Sequence, residues 1–287
     1  MFENLKKGWA IGKATRKLVF EDRDLFMYPL VSALAVVLEV VAIFLPSALF
    51  LNNPALQYYN LLSLFAVYMV VTFTSTYIIM AMFIAFRSFI SGKKISFGEA
   101  FSQVKPYAAL ILEWSIFYSI VLIAVRILES RLRGIAGLFL GAALSIALSL
   151  STLFVVPVIL DEKLGPIAAL KSSASFIIKN FGQSFGGLIY ADLYSLAIAA
   201  VGILIVFAGL ASALFVNFFL GVVIGIVGFS VFVIGIMIGY LLSNLFKLIL
   251  YDFIKYDRIP KGFTGDMLKS STRTKNSKMN GFVPGNI

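Results

Sequence analysis

Six long apolar stretches constrain this chain more than any other feature of it. Each exceeds the about 20 mostly apolar residues that a helix needs to cross a bilayer. Of the 24 Lys and Arg, all except Arg126, Arg131 and Arg133 fall in segments that a six-span path places on one face. The positive-inside rule makes that face cytoplasmic. The expected fold is therefore an all-α membrane protein with six transmembrane helices and interfacial amphipathic helices on the cytoplasmic side. The expected location is the cell membrane, multi-pass, with both termini in the cytoplasm.

Composition narrows the chemistry. Hydrophobic residues make up 60% of the 287 and charged residues 13%, against about 25% charged in a soluble domain. The net charge of +10 could indicate nucleic acid, but the basic residues flank spans and no soluble domain is left to hold them. Anionic lipid at the cytoplasmic face is the partner they fit. Cysteine and histidine are both absent, which removes thiolate and disulfide chemistry, the commonest transition-metal ligand and the commonest general base. The sequence calls for no cofactor and no metal, and it reads as a non-enzyme. Residues 1–24 are too polar and basic for a cleavable signal peptide.

Three regions divide the chain: an interfacial N-terminal helix over 1–24, a six-span membrane domain over 25–254, and a disordered basic cytoplasmic tail over 255–287. In the first, Leu5 and Trp9 share a helix face while Lys6, Lys7, Lys13, Arg16 and Lys17 supply cations for lipid headgroups. The spans fall near 25–51, 60–86, 107–127, 134–160, 184–209 and 222–251. Ser96 with Glu99 three residues on is the pattern of a capping box and starts a short helix that ends at Lys105–Pro106. A second amphipathic helix is expected over 166–180, with Ile167, Leu170, Ala174, Ile177 and Ile178 on its apolar face. From Ala211 to Tyr256 the chain is almost continuously apolar. Two spans there would put the basic tail outside, so an outer interfacial segment over 211–220 leading into one long tilted span is expected.

Several local patterns carry a resemblance. Gly8–Trp9 precedes basic residues, then Asp24–Leu25 and Pro29–Leu30, and Gly98–Glu99–Ala100 precedes span three. Phe154–Val155–Val156–Pro157–Val158–Ile159 is followed by Glu162, Gly165–Pro166 and Ala169–Leu170–Lys171–Ser172–Ser173. In these the chain resembles the DUF6159-type family, uncharacterised six-span integral membrane proteins of prokaryotes. More distantly it is similar to the membrane domain of glycerophosphodiester phosphodiesterases. The resemblance implies six spans with interfacial helices before spans one, three and five. It implies no activity, since the phosphodiesterase catalytic domain has no counterpart here.

Charges inside a bilayer cost about 2.5–3.5 kcal/mol each at its centre and need a reason to be there. Glu39 in span one, Glu113 in span three and Asp192 in span five are candidates for a proton or cation path, or else buried hydrogen-bond anchors. Lys247 and Arg126 read as interfacial anchors. Tyr77, Tyr118, Tyr190, Tyr194 and Tyr240 either bond those acids or serve packing and the aromatic belt. Gly137–Gly141, Gly221–Gly225 and Gly235–Gly239 are GxxxG pairs that permit close helix approach, within the chain or in a homodimer. Two function classes follow. One is a non-enzymatic protein that organises or assists a membrane partner or the inner leaflet; the other is a small proton- or cation-linked transporter or channel.

Overall fold

The computed structural model describes residues 2–48, 57–131, 134–179 and 181–258. In chain order the helices are α1 (Phe2–Glu21), α2 (Met27–Ala48), α3 (Gln57–Ile90), α4 (Phe97–Val104), α5 (Ala108–Arg131), α6 (Gly134–Thr152), α7 (Val155–Glu162), α8 (Pro166–Lys179), α9 (Phe181–Phe215) and α10 (Phe218–Tyr256). No strand occurs among the described residues. Six helical segments are long and apolar enough to cross a membrane, as the six-span reading expects. The chain folds as two compact units, Asp24–Lys179 and Met1–Arg23 with Asn180–Ile287. The expected tail from residue 259 on lies outside the described residues.

In the unit Asp24–Lys179, α3 packs against α2, α4, α5 and α7. Its inner half is the core: Ile78, Met80, Ala81, Met82, Phe83 and Phe86 are all buried. The cap predicted at Ser96 forms, its hydroxyl accepting from the Glu99 N–H at 3.2 Å. This satisfies one of the orphan donors of α4 and fixes where the helix begins. Tyr28 and Phe97 pack with ring centroids 4.9 Å apart, seating α4 beneath the start of α2.

The fourth span is not one continuous helix. The chain turns at Leu153–Phe154, between α6 and α7. Pro157 lacks an N–H and its ring would clash with the carbonyl four residues back, that of Leu153, so the helix cannot run through. The Phe154 N–H freed by the break donates to the buried Ser173 hydroxyl on α8 at 3.0 Å. Helix α8 itself is rotated from the expected face: Ala169, Ser173 and Ile177 are buried, while Ile167 and Ile178 are exposed. A small–polar–apolar row suits close packing on α6 and α7, and it leaves the two isoleucines outward.

The second unit is a three-helix assembly in which α1 packs along α9 and α10, and α9 and α10 form a long hairpin. The outer interfacial segment expected over 211–220 does not exist. Helix α9 runs on to Phe215, and α10 starts at Phe218 after a turn of two residues. Asn217 caps α10 through its side-chain oxygen, which accepts from the Leu220 N–H at 3.1 Å. At 1.5 Å per residue, the 35 residues of α9 and 39 of α10 span about 52 and 58 Å. Exposed large apolar residues run from Ile189 to Phe215 on α9 and from Phe218 to Ile236 on α10. Beyond that point most of α10 is buried, from Ile238 to Phe253.

The glycines set the hairpin's spacing. A Cβ on Gly202 would lie 2.4 Å from Phe232 N, one on Gly228 2.5 Å from Val206 N, and one on Gly221 2.3 Å from Ala213 N. These neighbours are backbone, so the helices touch main chain to main chain. The positions on α10 where an added Cβ would meet the α9 backbone are Gly221, Gly228 and Gly235, seven residues apart. Gly225, second member of a GxxxG pair, would carry a Cβ into open space.

Candidate functional site

In the unit Asp24–Lys179, the end of α3 carries Arg87 and the end of α7 carries Asp161. Arg87 donates from its two terminal nitrogens to the two Asp161 oxygens, at 2.6 and 2.8 Å. The side chains are 19% and 12% exposed, so the fork is largely shielded and its plane is fixed. Around this pair opens a cleft of about 500 Å³. Ile84 and Leu160 form its apolar floor, and Ser88, Ser91, Lys93, Gln103 and Tyr107 its polar wall. Ser88 and Ser91 are tied to the backbone of the same turn, donating to Lys93 O and Arg87 O. Lys163 lies over the Tyr107 ring, 5.9 Å from its centroid, and Lys94 pairs with Asp24 at 2.7 Å.

The three candidate acids each have their own surroundings. Glu39, midway along α2, accepts from Thr74 Oγ1 of α3 at 2.5 Å. Its second oxygen, Oε2, is buried and has no hydrogen-bond partner among the described residues. Glu113 sits on the exposed face of α5. Asp192 belongs to the other unit, where Ser243 donates to its Oδ1 at 3.4 Å. Lys247, one turn beyond, lies within its Coulombic reach and donates to Asn244 Oδ1 at 3.2 Å.

Nor do the tyrosines bond the acids. Tyr77 donates to Phe101 O at 3.0 Å, Tyr118 stacks on Trp114 with centroids 5.3 Å apart, and Tyr190 and Tyr194 stack with centroids 6.1 Å apart. On α1, Trp9 meets Tyr190 edge-on at 4.9 Å, and Arg16 lies over the Tyr194 ring at 4.7 Å. Gly12 makes room for this, since a Cβ there would sit 2.8 Å from the Tyr190 ring. The buried face of α1 is Ile11, Thr15, Leu18 and Val19. Of the expected headgroup cations, Lys13 and Lys17 are exposed and Arg16 is half-buried, while the side chains of Lys6 and Lys7 lie outside the described residues.

The Arg87–Asp161 cleft escaped sequence reasoning because its partners are 74 residues apart. The one local signal was an arginine closing an apolar run and an aspartate closing another. No curated protein and no solved structure matches the chain. A family model does, the family of unknown function DUF6159, over residues 56–264. With nearly three-quarters of its length covered, the chain belongs to the DUF6159 family of unknown function.

Proposed function

We propose that this protein is a non-enzymatic, multi-pass protein of the cell membrane that organises the inner headgroup layer or assists a membrane partner there, with both termini cytoplasmic. The observation that carries this reading is the pair α4 and α8. At 8 and 14 residues they are too short to cross a hydrocarbon core of about 30 Å. Each has a buried row seated on neighbouring helices, and Lys93, Lys94, Lys171 and Lys179 stand exposed around them. The charge rule assigns these connections and α1 to the cytoplasmic side. The sequence has neither His nor Cys, and its intramembrane acids keep separate partners, which favours a role without catalysis.

Isolation in native nanodiscs, followed by mass spectrometry, tests the partner half: a stoichiometric protein partner supports it. The headgroup half is tested by fluorescence. Trp9 is 42% exposed on α1 and, in a Trp114→Phe background, reports on its surroundings alone. Brominated phosphatidylglycerol is expected to quench it more than brominated phosphatidylcholine. Replacing Lys6, Lys7 and Lys13 by Gln should abolish the difference, each Lys contributing about 1 kcal/mol at an anionic surface. Equal quenching by both lipids in the parent protein would sink the electrostatic account.

A second reading, a small proton- or cation-linked transporter or channel, is favoured by one observation: the unpartnered, buried Glu39 Oε2. Under that reading, proteoliposomes show gradient-driven proton or cation flux that Glu39→Gln abolishes, and Glu113 and Asp192 extend the path. Unchanged flux in Glu39→Gln removes Glu39 from it.

A further inference from the structure

We infer that the Arg87–Asp161 cleft is a binding site for the phosphate of an anionic phospholipid headgroup. This deepens the headgroup-layer reading and rests on it. Asp161 is the only anion in the cleft wall, and both its oxygens are taken up by Arg87. The Lys93 ammonium and the Tyr107 hydroxyl are left to face a ligand, whereas the Gln103 amide N–H is directed at Glu99 Oε1, 3.5 Å away. Lys93 and Tyr107 make no side-chain hydrogen bond within the described residues, so a ligand displaces nothing to reach them. A cluster of donors around a fixed guanidinium suits a tetrahedral oxyanion. A choline cation would need an aromatic face, and the Tyr107 face is already covered by Lys163.

The floor indicates a lipid as the source of that phosphate. Ile84 and Leu160 belong to the apolar segments Leu62–Ile90 and Phe139–Glu162, so the cleft opens where two spans end. That is headgroup depth, with apolar surface for the glycerol and the first acyl carbons. A volume of about 500 Å³ lies in the usual range of ligand clefts, roughly 300–1,000 Å³.

The test uses the full chain in mild detergent, with individual lipid-binding events counted by native mass spectrometry. Dioleoylphosphatidylglycerol is the probe and dioleoylphosphatidylcholine the reference. The parent protein is expected to prefer phosphatidylglycerol. Lys93→Gln should weaken its tightest binding event about tenfold, the scale of one lost charge-assisted hydrogen bond, and Tyr107→Phe about threefold. Lys105→Gln, an exposed lysine outside the cleft wall, should leave it unchanged. If the parent shows the preference and Lys93→Gln and Tyr107→Phe keep it intact, or if Lys105→Gln weakens it equally, the site is overturned and the headgroup-layer reading stands. With no preference in the parent, both fail. Displacement of the lipid by millimolar glycerol phosphate would transfer the site to a soluble phosphate and overturn the lipid assignment.

Discussion

Alanine at Asp161 is expected to destabilise the unit Asp24–Lys179 by about 2–4 kcal/mol, because it leaves a shielded guanidinium without its counter-charge. The pair is bidentate, at 2.6 and 2.8 Å. Both side chains are less than one-fifth exposed, which places the effect above the 0–1 kcal/mol of a surface bridge. Trp114 is 4% exposed within the same unit, so in a Trp9→Phe background its fluorescence during a denaturing-detergent titration follows this unit. The double replacement Arg87→Met with Asp161→Leu should recover much of the loss, since removing both charges removes the unmet desolvation cost. A midpoint unmoved in Asp161→Ala would mean that the fork adds nothing to the fold.

The second large effect is expected in the hairpin. Gly228→Ala should cost about 1–3 kcal/mol by overpacking, and Gly228→Leu should pull α9 and α10 apart. The added Cβ would lie 2.5 Å from Val206 N and 2.9 Å from Gly202 O. Those atoms are main chain and cannot rotate away. Gly225→Ala is the internal control, because a Cβ there meets nothing within 4 Å. The check is the resistance of each variant to unfolding, read in the cysteine-free chain by spin labels introduced at one pair of facing positions. Equal loss in the Gly225 and Gly228 variants would show that glycine content, rather than close approach, holds the hairpin.

The sequence carried the number of spans, because runs of apolar residues separated by basic connections need no tertiary information to be read. The start of α4 was equally legible, since Ser96 and Glu99 act within one turn. The path after residue 211 was not. Nearly every residue there is apolar, and the boundary rests on the single polar side chain of Asn217, which caps α10. Charge logic had excluded a second span there, yet α9 simply continues and returns as α10, so the number of helices long and apolar enough to cross is the expected six. The break before Pro157 follows from a steric rule, but the partner of the freed Phe154 N–H, the Ser173 hydroxyl, lies 19 residues on. Acids could be located by type and depth. Their partners Thr74 and Ser243, 35 and 51 residues away, could not be read from sequence.

The length of the α9–α10 hairpin sets how this protein meets membranes of different thickness. Past the exposed Asp192, the apolar row from Leu193 to Phe215 covers about 34 Å at 1.5 Å per residue, at the upper end of hydrocarbon cores of about 27 to 33 Å. Hydrophobic mismatch along α9 is therefore close to zero in the thickest of these bilayers and an excess of length in the thinner ones. Excess length is relieved by tilt, at fractions of a kcal/mol per ångström. A thicker bilayer lets the helix stand more upright, and a thinner one does not need to be stretched to cover it.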